Sequence, residues 1–86
     1  MTQPKLTLYG KPGCHLCEEA RRVALDVQAA GTTPFELVEI DVSLDARLNR
    51  AYGERIPVLD VCGEEAFEYR VDAEELKKLL AECPRP

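Results

Sequence analysis

Cys14-His15-Leu16-Cys17 is the stretch of this chain whose residue types and spacing point most directly to a reaction. It follows Gly10-Lys11-Pro12-Gly13, a run of turn formers, and no Pro or Gly interrupts the chain from Cys14 to about Ala30. Leu16, Ala20, Val23 and Val27 recur there at spacings of four, three and four, which predicts an apolar helical stripe. The cysteine pair is therefore expected to open a helix. Unsatisfied N–H groups and the macrodipole at a helix start favour an anion, so a thiol placed there loses its proton more readily than a free one. Thiolate is the species that attacks a disulfide. A second cysteine three residues on, inside the first turn, brings its sulfur within bonding reach of the first. Cys14 is thus the candidate nucleophile and Cys17 the resolving thiol. Cys14 would attack a substrate disulfide, Cys17 would displace the resulting mixed disulfide, and an external thiol reductant would reopen the internal bridge.

Other uses of these sulfurs compete with that one. Two cysteines are half of a zinc or iron-sulfur site, which needs further ligands, and Cys62 and Cys83 lack the spacing of a zinc knuckle. A redox-inert interaction module on the same fold is the remaining alternative. No tightly bound cofactor is expected. His15 is a candidate modulator, as a nearby cation or a proton relay, or equally an exposed bystander, since a helix N-terminus disfavours its charged form. Cys83 shares a helical stripe with Leu76, Leu79 and Leu80 and reads as a small core hydrophobe; Cys62, near a strand end, reads as a buried thiol in preference to a regulatory one. Glu64-Glu65 reads as a solvated turn.

With 86 residues the chain has room for one core, so a single domain over 1–86 is expected. At 45% hydrophobic and 31% charged residues, its composition is that of a water-soluble globular protein. A net charge of −5 with scattered basic residues argues against nucleic-acid partners. No apolar run approaches the roughly 20 residues that span a bilayer, and no secretory leader pattern opens the sequence. A cytoplasmic, monomeric protein without membrane partners is the expectation, and in that compartment a Cys-x-x-Cys is read as redox-active or metal-binding rather than as a structural bridge.

Several elements must position the pair. Leu6-Thr7-Leu8-Tyr9 alternates and stops at Gly10, which predicts a strand, and Gly31 supplies the stop for the helix after it. Phe35 to Val42 predicts a second strand, with Leu37 making its other face partly apolar. Ser43 is expected to cap a short helix carrying Leu44, Leu48 and Ala51 on one face, ended by a left-handed Gly53. Val58 to Val61 and Ala66 to Tyr69 predict an antiparallel hairpin around Gly63, with Pro57 at its entry. Asp72 with Glu75 resembles a capping box for a last helix that runs to Pro84 and carries a Glu74–Lys78 pair. The resulting order is βαβαββα.

Leu8-Tyr9-Gly10-Lys11-Pro12-Gly13-Cys14-His15-Leu16-Cys17, then Tyr52-Gly53-Glu54-Arg55-Ile56-Pro57-Val58-Leu59, then the Gly63 turn and a final helix, resemble the glutaredoxin branch of the thioredoxin superfamily. Within that branch the chain is similar to the small bacterial glutaredoxin-like proteins, and the resemblance spans about Lys5 to Glu82. It implies an α/β thioredoxin-like fold with a four-stranded mixed sheet in the order 2-1-3-4, flanked by three helices. It also implies a cis bond at Pro57, backbone groups of Ile56 offered to a bound thiol peptide, and Lys11 near a glutathione carboxylate. The activity implied is reduction of protein or glutathione-mixed disulfides, with glutathione as co-substrate. The chain departs from that pattern in lacking the thioredoxin Trp, in carrying His-Leu between its cysteines, and in having Cys62-Gly63-Glu64-Glu65 in place of a Gly-Gly pair.

Overall fold

In a computed structural model, which describes residues 3–31 and 33–83, the elements run β1 (Lys5–Gly10), α1 (His15–Ala30), β2 (Glu36–Asp41), α2 (Ala46–Tyr52), β3 (Val58–Val61), β4 (Glu64–Glu68) and α3 (Ala73–Glu82). The sheet order is β2-β1-β3-β4. Strands β1 and β2 run parallel, while β1–β3 and β3–β4 are antiparallel. This is the α/β thioredoxin-like fold with its four-stranded mixed sheet and three helices.

One face of the sheet carries the core because the strands alternate. Leu6 and Leu8 of β1 stand opposite Val61 and Leu59 of β3, and all four are buried against Ala20 and Val27 of α1 and Leu76 and Leu80 of α3. Burying a Leu side chain stabilises by about 1.5–3 kcal/mol, so these facing rows hold the two helices on one side of the sheet. The inner face of α1 is one residue out from the stripe read from its Leu and Val residues. Cys17, Ala20, Ala24 and Val27 are buried, while Leu16 and Val23 are half-buried at the edge. Small Cys and Ala side chains let the helix approach the sheet, and the larger ones turn to its flank. Gly31 ends α1 at φ 71°, donating its N–H to the carbonyl of Gln28, as its position predicts.

The second helix differs from its expected form. Asp41 accepts from the Ser43 N–H at 2.9 Å and caps a single 3₁₀ turn over Val42–Leu44; Asp45 then caps α2, accepting from Arg47 and Leu48 at 2.8 and 3.1 Å. Two carboxylates flanking Ser43, and not its hydroxyl, thus satisfy the free N–H groups of both turns. Leu44 lies outside α2 and is 85% exposed, Ala51 is exposed too, and only Leu48 of the expected apolar face is half-buried. Gly53 is right-handed (φ −54°), and a Cβ there would collide with Asn49, so close approach rather than a left-handed turn requires the glycine.

Strand β3 has the expected bounds, whereas β4 begins and ends earlier than Ala66–Tyr69. Cys62 and Gly63 form the whole turn between them, with φ of 53° and 85°. Asp72 caps α3 by accepting from the Glu75 N–H at 3.0 Å, and Cys83 stands at its end; Pro84 lies outside the described residues. The charged pair on this helix joins Glu74 to Lys77 rather than to Lys78.

Candidate active site around Cys14 and Cys17

The carboxyl end of β1 and the start of α1 bring the site together. Gly13 turns the loop at φ 76°, a conformation that glycine adopts without a Cβ penalty. Cys14 then stands as the N-cap of α1 in extended conformation, its N–H donating to the Lys11 carbonyl at 3.3 Å. Its Sγ accepts the Cys17 N–H at 3.2 Å, the place a Ser or Asp oxygen fills in an ordinary N-cap. Any negative charge on this sulfur therefore meets a donor of the first turn. Cys14 and Cys17 are joined as a disulfide, with Cα atoms 5.2 Å apart.

The two sulfurs differ in access. Cys14 is half-buried at the surface, and Cys17 is only 8% exposed. What packs beneath Cys17 is Gly10: a Cβ at that position would stand 2.9 Å from Cys17 Sγ and 3.2 Å from its Cβ. Gly10 is thus a site residue, although its sequence context shows only a strand end. The signal present in the sequence is a glycine inside the strand register, which marks a close approach.

His15 is turned outward. Its ring is 81% exposed and its Nε2 lies 3.1 Å from Glu19 Oε1, one helical turn on. Lys11 is half-buried and lines a groove beside Cys17 together with Pro12, Arg21 and Ile40. Arg21 is held across that groove by Glu39 at 2.9 Å. On the other side of the pair, the Ile56–Pro57 bond is cis; Pro57 is fully buried and Ile56 half-buried. Because Val58 pairs with Tyr9, Pro57 follows the same register to the end of β1 where Gly10 lies. The Pro57 carbonyl accepts from the N–H of Tyr69, which sits at φ 68° and sends its hydroxyl to the Glu54 carbonyl at 3.3 Å.

Behind the site, on the sheet face opposite the core, Tyr9 stacks on Tyr52 of α2 with ring centroids 4.3 Å apart, and Arg55 lies 5.7 Å over the Tyr52 ring. Asp60 stands on this face too. Its Oδ1 is buried without a hydrogen-bond partner among the described residues, and burial raises its carboxyl above the ordinary range, offset in part by the nearby Tyr9 hydroxyl. Burial likewise raises Tyr9, and the Asp60 charge adds to it. Asp60 lies inside the predicted strand Val58 to Val61, and nothing in its local sequence marks its burial.

Away from the site, Cys62 and Cys83 are bonded to each other, with Cα atoms 6.2 Å apart. This corrects their reading as separate packed thiols: the hairpin turn and the end of α3 are 21 residues apart in sequence but adjacent in space. Among the described residues, no group of three or more His, Cys, Asp or Glu side chains converges as metal ligands would. No helix among them is long and apolar enough to cross a membrane.

A family model described as "Glutaredoxin-like domain (DUF836)" matches residues 5–81. This chain belongs to the glutaredoxin-like DUF836 family. Solved structures agree with that placement. XcR50 from X. campestris, solved by X-ray methods, is 38% identical over 92% of this chain and 99% of its own, with a TM-score of 0.71. Protein Ne2328 from Nitrosomonas europaea is 29% identical over 91% of this chain and 92% of its own, at a TM-score of 0.69. A mutant thioredoxin from Halobacterium salinarum NRC-1 is 27% identical over 94% of this chain and 74% of its own, at a TM-score of 0.66. This glutaredoxin-like chain therefore carries its Cys-x-x-Cys on a fold shared with thioredoxin, in an arrangement compatible with redox activity.

Proposed function

We propose that this glutaredoxin-like protein is a cytoplasmic thiol-disulfide oxidoreductase that reduces protein or glutathione-mixed disulfides by a dithiol mechanism. The observation that carries the reading is the asymmetry of the pair: an accessible Cys14 at the N-cap, with the Cys17 N–H aimed at its sulfur, and a buried Cys17 behind it. In the reduced protein the Cys14 thiolate attacks one sulfur of the substrate, forming a mixed disulfide and releasing the other sulfur as a thiolate that takes up a proton. Cys17, deprotonated, then attacks Cys14 Sγ. The second substrate sulfur leaves as a thiol, and the Cys14–Cys17 bridge holds the two electrons' worth of oxidation. A thiol reductant, with glutathione as the expected co-substrate, restores the dithiol.

The remaining residues are assigned supporting roles. Lys11 attracts a carboxylate on the incoming thiol, and the Ile56 backbone beside Pro57 aligns an extended substrate peptide. His15, paired with Glu19, acts at most on the local field. Turnover of a glutathione-mixed disulfide tests this. Cys14→Ser is expected to abolish turnover, and Cys17→Ser to accumulate a mixed disulfide on Cys14. Turnover retained by Cys14→Ser would sink the reading.

A further inference from the structure

We propose that the Cys62–Cys83 bond is a second redox site, which opens to neutral or cationic thiols and resists anionic ones. Cys62 occupies the first position of a two-residue hairpin turn at φ 53°, followed by Gly63 at φ 85°. Such turns favour Asn or Gly, because a Cβ is strained in the left-handed region. A cysteine there is explained by what its sulfur does: it ties the hairpin to Cys83, the residue that ends α3.

This bond lies at the far end of β1 from the active pair. The Cys62 N–H donates to the Lys5 carbonyl at 3.0 Å, whereas Cys17 packs on Gly10. Five residues of strand separate the two places, about 16 Å at roughly 3.3 Å per residue, so the pairs cannot exchange within one molecule. Each must meet its own reductant.

What a reductant meets at Cys62–Cys83 is acidic. A cavity of about 420 Å³ opens on the bond and is lined by Glu64, Glu65, Glu75 and Glu82 along with both cysteines. Arg55 pairs with Glu65, and none of the other three carboxylates has an ion-pair partner among the described residues. Lys5 alternates with core-facing Leu6 and so projects from the opposite face of the sheet, and the exposed Lys78, one turn from Glu75 and Glu82 on α3, makes no ion pair with either and does not line the cavity. Unlike the Lys11 side of the active pair, this cavity repels a second negative charge, over distances at which salt screening matters.

Opening proceeds by attack of an external thiolate on Cys62, the half-buried sulfur, with the buried Cys83 sulfur leaving and taking a proton. A second external thiolate then displaces Cys62 from the mixed disulfide. Two external thiols become one disulfide, and the chain gains two thiols. An anionic thiol brings a carboxylate into the glutamate-lined cavity at the first step. The bond therefore stays closed while anionic thiols cycle Cys14–Cys17.

The test uses the whole oxidised protein and three thiols of matched size: mercaptoethylamine, mercaptoethanol and mercaptopropionate. Opening rates at each pair are read by alkylation and peptide mass, and corrected for each thiol's own thiolate fraction. At Cys62–Cys83 the cationic thiol is expected to react at least tenfold faster than the anionic one, with the ratio shrinking in high salt and in Glu64→Gln/Glu82→Gln. At Cys14–Cys17 the ratio is expected to be threefold or less. A ratio at Cys62–Cys83 within threefold of that at Cys14–Cys17 overturns the proposal. So does a ratio that neither salt nor the Gln substitutions move, or alkylation of Cys62 and Cys83 as free thiols in air-oxidised protein. Loss of turnover at Cys14 would leave these outcomes unaffected, so failure of the catalytic reading and failure of this one are distinguishable.

Discussion

Two cysteine pairs stand at opposite ends of the same central strand, and their surroundings set them to different work. Cys14–Cys17 closes a loop with a sequence separation of only 3, caps a helix start, and leaves one sulfur accessible and the other buried. Such a short loop removes little entropy from the unfolded chain, so this bond is easily given up and reformed. Cys62–Cys83 spans 21 residues, ties a strained hairpin turn to the end of α3, and lies among carboxylates. Chain-entropy arguments give a loop of that length about 3 kcal/mol of stabilisation. Helix-start geometry and a short loop make one pair a general reagent; a long loop and an acidic surround make the other a fastening that opens only to thiols the glutamates admit.

At the active pair, this contrast is sharpened by Gly10→Ala. Its Cβ would press on Cys17 Sγ at 2.9 Å. A reduced Cys17 can rotate its sulfur away, whereas a bonded one cannot, so the substitution disfavours the bridge. Equilibration against a glutathione redox buffer is expected to show the Cys14–Cys17 equilibrium shifted at least tenfold toward the dithiol, about 30 mV in potential. An unchanged potential would contradict the packing argument.

Cys83→Ala is expected to act on stability instead. It removes the staple, and urea unfolding of the oxidised protein should show a loss of about 3 kcal/mol, while turnover at Cys14 is retained. A variant as stable as the parent would show that the second bond fastens nothing.

The smallest effect concerns Asp60, on the face away from both pairs. Its folded-state carboxyl is raised above the unfolded value by burial, so the folded protein holds the proton more tightly and stability falls as pH rises from the unfolded value through the folded one. Asp60→Asn removes that loss. Thermal unfolding is expected to show the variant more stable than the parent at pH 7, with the gain gone well below about pH 3.9, where the parent carboxyl is protonated in both states. A gain that persists at low pH would point to packing instead.

What can be read in advance follows from which interactions are local. The helix start at Cys14, the Gly31 stop, the Asp72 cap and the bounds of β3 rest on neighbours in sequence, and the structure has them there. The cap expected at Ser43 falls instead to Asp41, which takes the Ser43 N–H, and to Asp45, which takes those of Arg47 and Leu48, and choosing among three capping residues depends on where the chain leaves β2. The α1 stripe is one residue off because Leu and Val count as inward in the sequence pattern, while Cys17 and Ala24, small enough for close approach, take that face. Gly10 beneath Cys17 and the Cys62–Cys83 bond are out of reach of such a reading, since each joins residues brought together only by the completed sheet.

Alkylation of the fully reduced protein as a function of pH, followed cysteine by cysteine by peptide mass, addresses the central claim most directly. Cys14 is expected to react first of the four, with a midpoint below the ~8.5 of an unperturbed thiol. A midpoint at or above that value, or faster reaction at Cys17, would contradict the account.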